Sequence, residues 1–236
     1  MQVIIVAGGR GERLRPLTDR FPKPMLKVGG IPILEDAINF FKKNKMTDFI
    51  LALSYKSEII TGYFGRGEKW GVKIRYLLPK DTPLGTAGDI ILARNFIKDT
   101  FIVTYGDILR ELDVAQVIKS HKKNKAFGTI VIYNNKNKHP KSLIRFDESG
   151  RVSEFLERPK IHETKQSEVW SNGSFYIFEP QIFNYIPVEK RSDFAYDIFP
   201  KIISLGKRVY AYKQKGFFID IGSKAKLDQA RRIFKI

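Results

Sequence analysis

Val3-Ile4-Ile5-Val6-Ala7-Gly8-Gly9-Arg10-Gly11-Glu12-Arg13-Leu14-Arg15-Pro16-Leu17-Thr18, followed by Phe21-Pro22-Lys23-Pro24, is the stretch on which the fold turns. Val3 to Val6 reads as a short apolar strand. It opens into a loop with three glycines and four basic residues, Arg10, Arg13, Arg15 and Lys23. Glycine carries no Cβ, so backbone N–H groups can approach an anion closely. Arginine adds a planar fork that matches phosphate oxygens. A flexible surface loop with solvated charges explains less, because the glycines and cations are concentrated at one strand end. A Walker A loop needs Gly-Lys-Ser/Thr after four intervening residues, which this stretch lacks. A dinucleotide fingerprint needs a third glycine where Leu14 stands. The loop therefore reads as a nucleotide or phosphate loop of another type.

Outward from that loop, the first half alternates strand and helix patterns. Strand candidates are Val3–Val6, Phe49–Leu53, Lys73–Leu77 and Thr100–Thr104. Leu34, Ala37, Ile38, Phe41 and Lys42 form a helical stripe ending near Lys45; Ile59, Ile60 and Tyr63 form a shorter one. Ala87, Ile90, Ile91 and Ala93 predict a helix over Thr86–Phe96. Such alternation implies a mainly parallel sheet covered by helices, with ligands outside the carboxyl ends of its strands. The loop after Val6 and Tyr105-Gly106-Asp107 are then expected to face one another. In the second half, Gly128–Tyr133, Ser142–Phe146, Val152–Leu156 and Val169–Phe178 read as strands. Asp147-Glu148-Ser149-Gly150 turns Leu143–Leu156 into a hairpin. Phe194–Leu205 and Lys224–Phe234 read as helices. No linker, repeat or composition shift marks a second domain.

Composition narrows the class. The 236 residues suffice for one sizeable core, and 43% hydrophobic with 28% charged residues is ordinary for a globular protein. Cysteine is absent, and His121, His139 and His162 are scattered, which argues against disulfides and zinc. No apolar run approaches the ~18 residues of a membrane span. The first strand lies next to Met1, so no signal peptide and a cytoplasmic location are expected. The net charge of +17 admits two explanations. It can mark a nucleic-acid or membrane partner, or a lysine-rich surface around a site for anionic substrates. Basic clusters at Lys42–Lys45, Lys122–Lys125 and Asn134–Lys141 do not alternate with aromatics as a single-strand platform would. Surface charge without a nucleic-acid or membrane partner is the expectation.

Two aspartates stand beside glycines at the ends of apolar runs: Asp107 in Phe101–Asp107, and Asp220 in Phe217-Phe218-Ile219-Asp220-Ile221-Gly222. Taken singly, each could cap a turn or a helix. As a pair they suit magnesium, which takes one or two carboxylates plus substrate phosphates. Pro83-Leu84-Gly85-Thr86-Ala87-Gly88, preceded by Asp81-Thr82, reads as a loop and a helix N-terminus. Glu157-Arg158 could be an exposed ion pair of little energetic value.

Ala7-Gly8-Gly9-x-Gly11-x-Arg13-Leu14-x-Pro16-Leu17-Thr18 with Pro22-Lys23-Pro24 resembles the signature of the sugar-1-phosphate nucleotidylyltransferases. The resemblance continues to Asp220, nearly the whole chain. It implies a Rossmann-like α/β/α fold with a mainly parallel central sheet and a small mixed sugar-binding β region. One nucleotidyltransferase domain is expected over 1–236, with a nucleotide-binding half over 1–112 and a sugar-binding half over 113–236. Some family members continue into a left-handed β-helix; none is expected here. The resemblance implies Asp107 and Asp220 as the Mg2+ ligands. Arg13 would serve the triphosphate, and Lys23 the α-phosphate or sugar phosphate. Nucleotide contacts are implied at Ala7, Gly8, Gly9, Gly11, Arg13, Gly85 and Gly88. Sugar phosphate contacts are implied at Glu157, Arg158 and Asn172. Arg158 stands where the family has a lysine, which bears on sugar preference. Tyr105 and Phe218 replace a common asparagine and tryptophan, which is expected to alter packing and not chemistry.

The implied reaction is attack of a sugar 1-phosphate oxygen on the α-phosphorus of a nucleoside triphosphate, releasing pyrophosphate. The form of the Gly85–Gly88 segment is more similar to mannose-1-phosphate guanylyltransferases, so GTP with mannose 1-phosphate is the first choice. UTP or dTTP with a hexose or N-acetylhexosamine phosphate, and GTP with a heptose phosphate, are the alternatives. A non-catalytic nucleotide-sugar sensor is the rival from another class. Such proteins tend to lose the basic loop or a carboxylate, whereas Arg13, Lys23, Asp107 and Asp220 all stand here. A homodimer is the default association.

Overall fold

The computed structural model describes residues 1–78, 83–135, 140–164 and 169–234. Asp81 and Thr82, and positions 136–139 of the third basic cluster including His139, lie outside the described residues. Thirteen strands are present: β1 Val3–Val6, β2 Lys27–Val28, β3 Ile31–Pro32, β4 Asp48–Ala52, β5 Lys73–Leu77, β6 Phe101–Tyr105, β7 Ile108–Arg110, β8 Gly128–Asn134, β9 Ser142–Phe146, β10 Val152–Glu157, β11 Trp170–Phe178, β12 Val209–Lys213 and β13 Phe218–Asp220, among the described residues. The α-helices among them are α1 Leu17–Arg20, α2 Ile33–Lys43, α3 Ser57–Phe64, α4 Gly85–Gly88, α5 Val114–Lys123, α6 Phe199–Ser204 and α7 Lys224–Ile233.

Seven strands form the central sheet in the order β12-β8-β11-β6-β1-β4-β5. All run parallel except β11, which is antiparallel to both β6 and β8. The parallel strands are buried on both faces, as their unbroken apolar runs require. Ile4, Val6, Ile50, Ala52, Phe101 and Val103 pack into one core layer. Val3, Ile5, Phe49, Leu51 and Ile102 pack into the other, beneath Leu34, Ala37, Ile38 and Phe41 of α2. Glu35 and Asp36 at the start of α2 and Lys42 and Lys43 at its end oppose the helix dipole favourably.

A third, smaller core lies beside the sheet. Leu227 and Ala230 of α7 meet Leu14, Leu26, Val28, Ile33, Leu109 and Ile219. The C-terminal helix is thereby fastened to the glycine-rich end of the chain, and Arg231 Nε donates to the Lys27 carbonyl (3.2 Å).

Two expectations change. The helix over Thr86–Phe96 is broken into α4 and a 3₁₀ turn at Ile91–Asn95. Gly85 enters α4 with φ 83°, and the Ala87 and Gly88 amides donate to the Ser192 carbonyl, so tertiary hydrogen bonds displace the regular helix. The short strands β7, β12 and β13 carried little sequence pattern, yet β13 pairs antiparallel with β7 and aligns Asp220 with Ile108. The Leu143–Leu156 hairpin forms as β9 and β10.

Candidate active site

The cleft opens at the carboxyl ends of β1 and β6, which pair in parallel with Val6 opposite Tyr105. Its first cavity, of 580 Å³, is walled by Ala7 to Leu14, Lys23, Thr86, Tyr105, Asp107 and Gly222. The glycines of the loop differ in what requires them. Gly11 has φ 67°, and a Cβ there would stand 2.9 Å from the Thr18 side chain. A Cβ on Gly8 would meet Ser54 Oγ at 2.6 Å, the hydroxyl that donates to the Gly8 carbonyl. A Cβ on Gly9 would meet nothing. Protein packing gives no reason for a glycine at that position, whereas close approach of a ligand does. The amides of Gly8, Gly9, Arg10 and Gly11 find no acceptor among the described residues. Together they form an unfilled donor row at a strand end, a setting for phosphate oxygens.

Arg13 sits in the 3₁₀ turn Glu12–Leu14, anchored by buried Leu14. Its Nη2 lies against Gly222, where a Cβ would approach to 3.2 Å. Lys23 Nζ pairs with Asp107 Oδ2 and stands 3.8 Å from Asp220 Oδ1. The β7–β13 register, with the Ile221 amide donating to the Asp107 carbonyl (3.0 Å), brings the two aspartates to this cation. Burial pushes the Asp220 carboxyl up, but the cations Lys23, Lys141 and Arg13 outweigh it and hold the pKa below the ordinary value. Among the described residues no cluster of three or more acidic, histidine or cysteine side chains could hold a metal. Two carboxylates converging on one cation beside a free donor row still fit a divalent ion that completes its shell with phosphate oxygens and water.

A second cavity of 240 Å³ adjoins the first through Thr86, Tyr105 and Asp107, which line both. Glu157, Asn172, Tyr133, Lys141, Ser142, Asp193, Phe218 and Asp220 also line it. Because β11 runs backwards, its beginning, not its end, reaches this rim of the sheet. That reversal delivers Asn172. Its register against β8 slips between Asn172 and Tyr176. Arg110 holds this bulge, donating to the carbonyls of Gly173 (3.1 Å) and Ser174 (3.2 Å) and to Thr104 Oγ1 (3.0 Å). Burial lowers the Arg110 pKa to about 9, opposed by Tyr176 and Asp107, so it stays charged at neutral pH. Glu157 is pushed up to about 7 by burial, with Arg158 and Lys141 pulling down and Asp193 pushing up.

The structure gathers most of the expected residues and disperses a few. Ala7, Gly8, Gly9, Gly11, Arg13, Lys23 and Asp107 line the first cavity; Asp107, Glu157, Asn172 and Asp220 line the second. Asn172 already uses its amide within the protein, donating from Nδ2 to Tyr176 Oη (2.8 Å) and accepting at Oδ1 from the Ser174 amide (2.9 Å). Gly85 and Gly88 pack instead against the 190–193 segment, and it is Thr86 between them that reaches the cleft. Thr86 is fixed there by Asp193, which accepts from both its amide and its hydroxyl at 3.0 Å. Arg158 is exposed and lines neither cavity. Sequence reasoning missed Asp193, Arg110 and Lys141, none of which lies in a motif that patterning can find. Tyr105 and Phe218 both line the cleft, and Phe218 stacks on Tyr133 at 4.4 Å between ring centres. The 112/113 division is not sharp in space, since Gly222 reaches the first cavity and Thr86, Tyr105, Asp107 and Ile108 reach the second.

A sequence profile described as "Nucleotidyl transferase" matches residues 2–234. UTP–glucose-1-phosphate uridylyltransferase of Synechocystis sp. is 31% identical over 235 residues, covering 94% of this chain and 60% of that protein. Mannose-1-phosphate guanylyltransferase of Mycobacterium tuberculosis is 31% identical over 225 residues, covering 94% and 61%. The chain thus spans about three fifths of the length of these curated relatives. Among solved structures, HddC from Yersinia pseudotuberculosis in complex with GMP-PN superposes with a TM-score of 0.83 at 28% identity, over 99% of each chain. A Bacillus anthracis structure solved with a sucrose superposes with a TM-score of 0.86 over 100% of this chain and 95% of that one; at 21% identity it speaks to the fold alone.

Proposed function

This chain belongs to the nucleotidyl transferase family, and from that premise we propose that it transfers GMP from GTP to mannose 1-phosphate, yielding GDP-mannose and pyrophosphate. The observation that carries this reading is the pair of adjoining cavities meeting at Asp107. One offers free backbone amides, Arg13 and Lys23; the other, of 240 Å³, offers hydrogen-bonding walls that include Glu157 and Asn172. Guanine is favoured by the guanylyltransferase relative and by HddC, which holds a guanine nucleotide and matches this chain end to end. The uridylyltransferase relative favours UTP with a hexose 1-phosphate as the second reading.

The attacking sugar phosphate is largely a dianion near neutral pH, its second pKa being about 6. No general base is then needed, and the work left to the protein is alignment and charge neutralisation. The Gly8–Gly11 amides and Arg13 would hold the triphosphate and the charge growing on pyrophosphate. Lys23 would hold the α-phosphate. Glu157 and Asn172 would face the sugar hydroxyls. Asp107 and Asp220 would hold a divalent cation, which we take to be Mg2+. When bound, it would supply Lewis-acid charge between the two polyanions. Residues 1–112 would serve chiefly the nucleotide and 113–236 chiefly the sugar, in one catalytic domain. The reading includes no nucleic-acid or membrane partner and places the protein in the cytoplasm. No helix among the described residues is long and apolar enough to cross a membrane.

The test is pyrophosphate release with Mg2+ across ATP, CTP, GTP, UTP and dTTP, each against a panel of sugar 1-phosphates. Release confined to GTP with mannose 1-phosphate and abolished by EDTA is the expected result. Release with UTP and a hexose phosphate would move the chain to the second reading. Nucleotide binding without release from any pair would replace catalysis with a sensor role.

A further inference from the structure

The second cavity is poor in positive charge for a pocket that should receive a phosphate. Asp107, Glu157, Asp193 and Asp220 all line it. Lys141 is the single cationic side chain on that wall among the described residues. Its ammonium pairs with Asp220, and its side chain keeps 62% of its exposure, so little packing besides that ion pair holds it in place. The position is fixed by the fold. Lys141 immediately precedes β9, where Ser142 lies opposite Glu157 of β10, and the Lys141 carbonyl accepts from the Arg158 amide (2.7 Å). Arg158, by contrast, has a left-handed backbone (φ 51°) and an exposed side chain off the cavity wall.

We propose that Lys141 is the residue that receives the phosphate of the sugar 1-phosphate, exchanging its pairing with Asp220 for the substrate's oxygens. The proposal rests on the sugar-1-phosphate reading above. A dianion entering among these acidic side chains is repelled unless a cation meets it, and Lys141 is the cation lining that wall, whereas Lys23 lines the neighbouring cavity, where it would serve the α-phosphate. A lysine suits the exchange, since a compact ammonium with three donors on a flexible stem can turn from one anion to another. Release of Asp220 would also leave that carboxylate available to a metal ion.

The experiment is steady-state kinetics of the whole chain and its Lys141→Ala, Lys141→Arg and Arg158→Ala variants, with circular dichroism melts as a folding control. Lys141→Ala should raise KM for the sugar 1-phosphate by roughly ten-fold or more, the scale of a lost charged hydrogen bond. KM for the nucleotide should change by less than about three-fold on the same scale. Lys141→Arg should recover part of the loss, because it restores the charge, and Arg158→Ala should raise the sugar-phosphate KM by less than Lys141→Ala does. An active wild type whose sugar-phosphate KM is untouched by Lys141→Ala, or hit harder by Arg158→Ala, overturns the role of Lys141 and leaves the reaction standing. A wild type that turns over no pair of substrates removes the reaction and this inference with it.

Discussion

At the scale of single residues the cleft depends on charges placed where phosphates would gather. Asp107 is the most exposed to test, because both cavities and Lys23 share its carboxylate. Asp107→Asn and Arg13→Ala should each lower turnover by about 10²-fold, as removal of a transition-state partner does elsewhere. Turnover near that of the wild type in a folded variant would show that these side chains do not touch the reacting groups. Glu157 makes a prediction about stability. Its folded pKa of about 7 lies above the ordinary 4.5, so the folded chain binds more protons than the unfolded chain between those values. Its contribution is therefore complete at acid pH and is lost as pH rises through about 7. A shift of that size would be about 3 kcal/mol for a fully buried group, and because Glu157 is partly exposed, solvent screening reduces the expected loss to about 1–2 kcal/mol. Urea melts at about pH 5 and about pH 8 should show this fall in the wild type and not in Glu157→Gln. An equal fall in both would place the titration on a group other than Glu157.

At the scale of elements, long apolar strands and the stripe of α2 were legible because burial imposes a period on the sequence. The broken helix after Gly85 was not, because its geometry is set by Ser192 and Asp193, which are remote in the chain. The bulge of β11 is a similar case. Nothing in Asn172-Gly173-Ser174 alone says that Arg110 will clamp its carbonyls, yet this clamp aims Asn172 at the cleft. A Cβ on Gly173 would lie 2.7 Å from the Val131 carbonyl oxygen, backbone that cannot simply turn aside. Gly173→Ala should therefore cost about 1–3 kcal/mol in chemical denaturation, as overpacked positions do. It should raise KM for the sugar phosphate more than KM for the nucleotide, and equal effects on both would show that the bulge does not aim the sugar side.

At the scale of the whole molecule, the third core joins the two ends of the chain around the cleft. Leu227 is fully buried there among Leu14, Leu26 and Ile33, so Leu227→Ala should cost about 2–5 kcal/mol in a denaturant melt. Because Leu14 adjoins Arg13 and α7 follows Gly222, turnover should fall along with stability; a loss of stability with turnover intact would separate this core from the site. The βαβ alternation and the glycine-rich, cation-bearing loop at the end of β1 were legible in the sequence alone. Those features depend on local backbone geometry and on burial repeated at a fixed period, and both are written in neighbouring residues. It took the tertiary structure to bring Asp220 to Asp107 through the β7–β13 register, to let Thr86 and not its glycines reach the cleft, and to put Lys141 and not Arg158 on the wall of the second cavity. The first and last of those outcomes follow from strand pairing between distant segments, and the placement of Thr86 follows from hydrogen bonds to Ser192 and Asp193; these partners are remote in the chain, and no local pattern marks them.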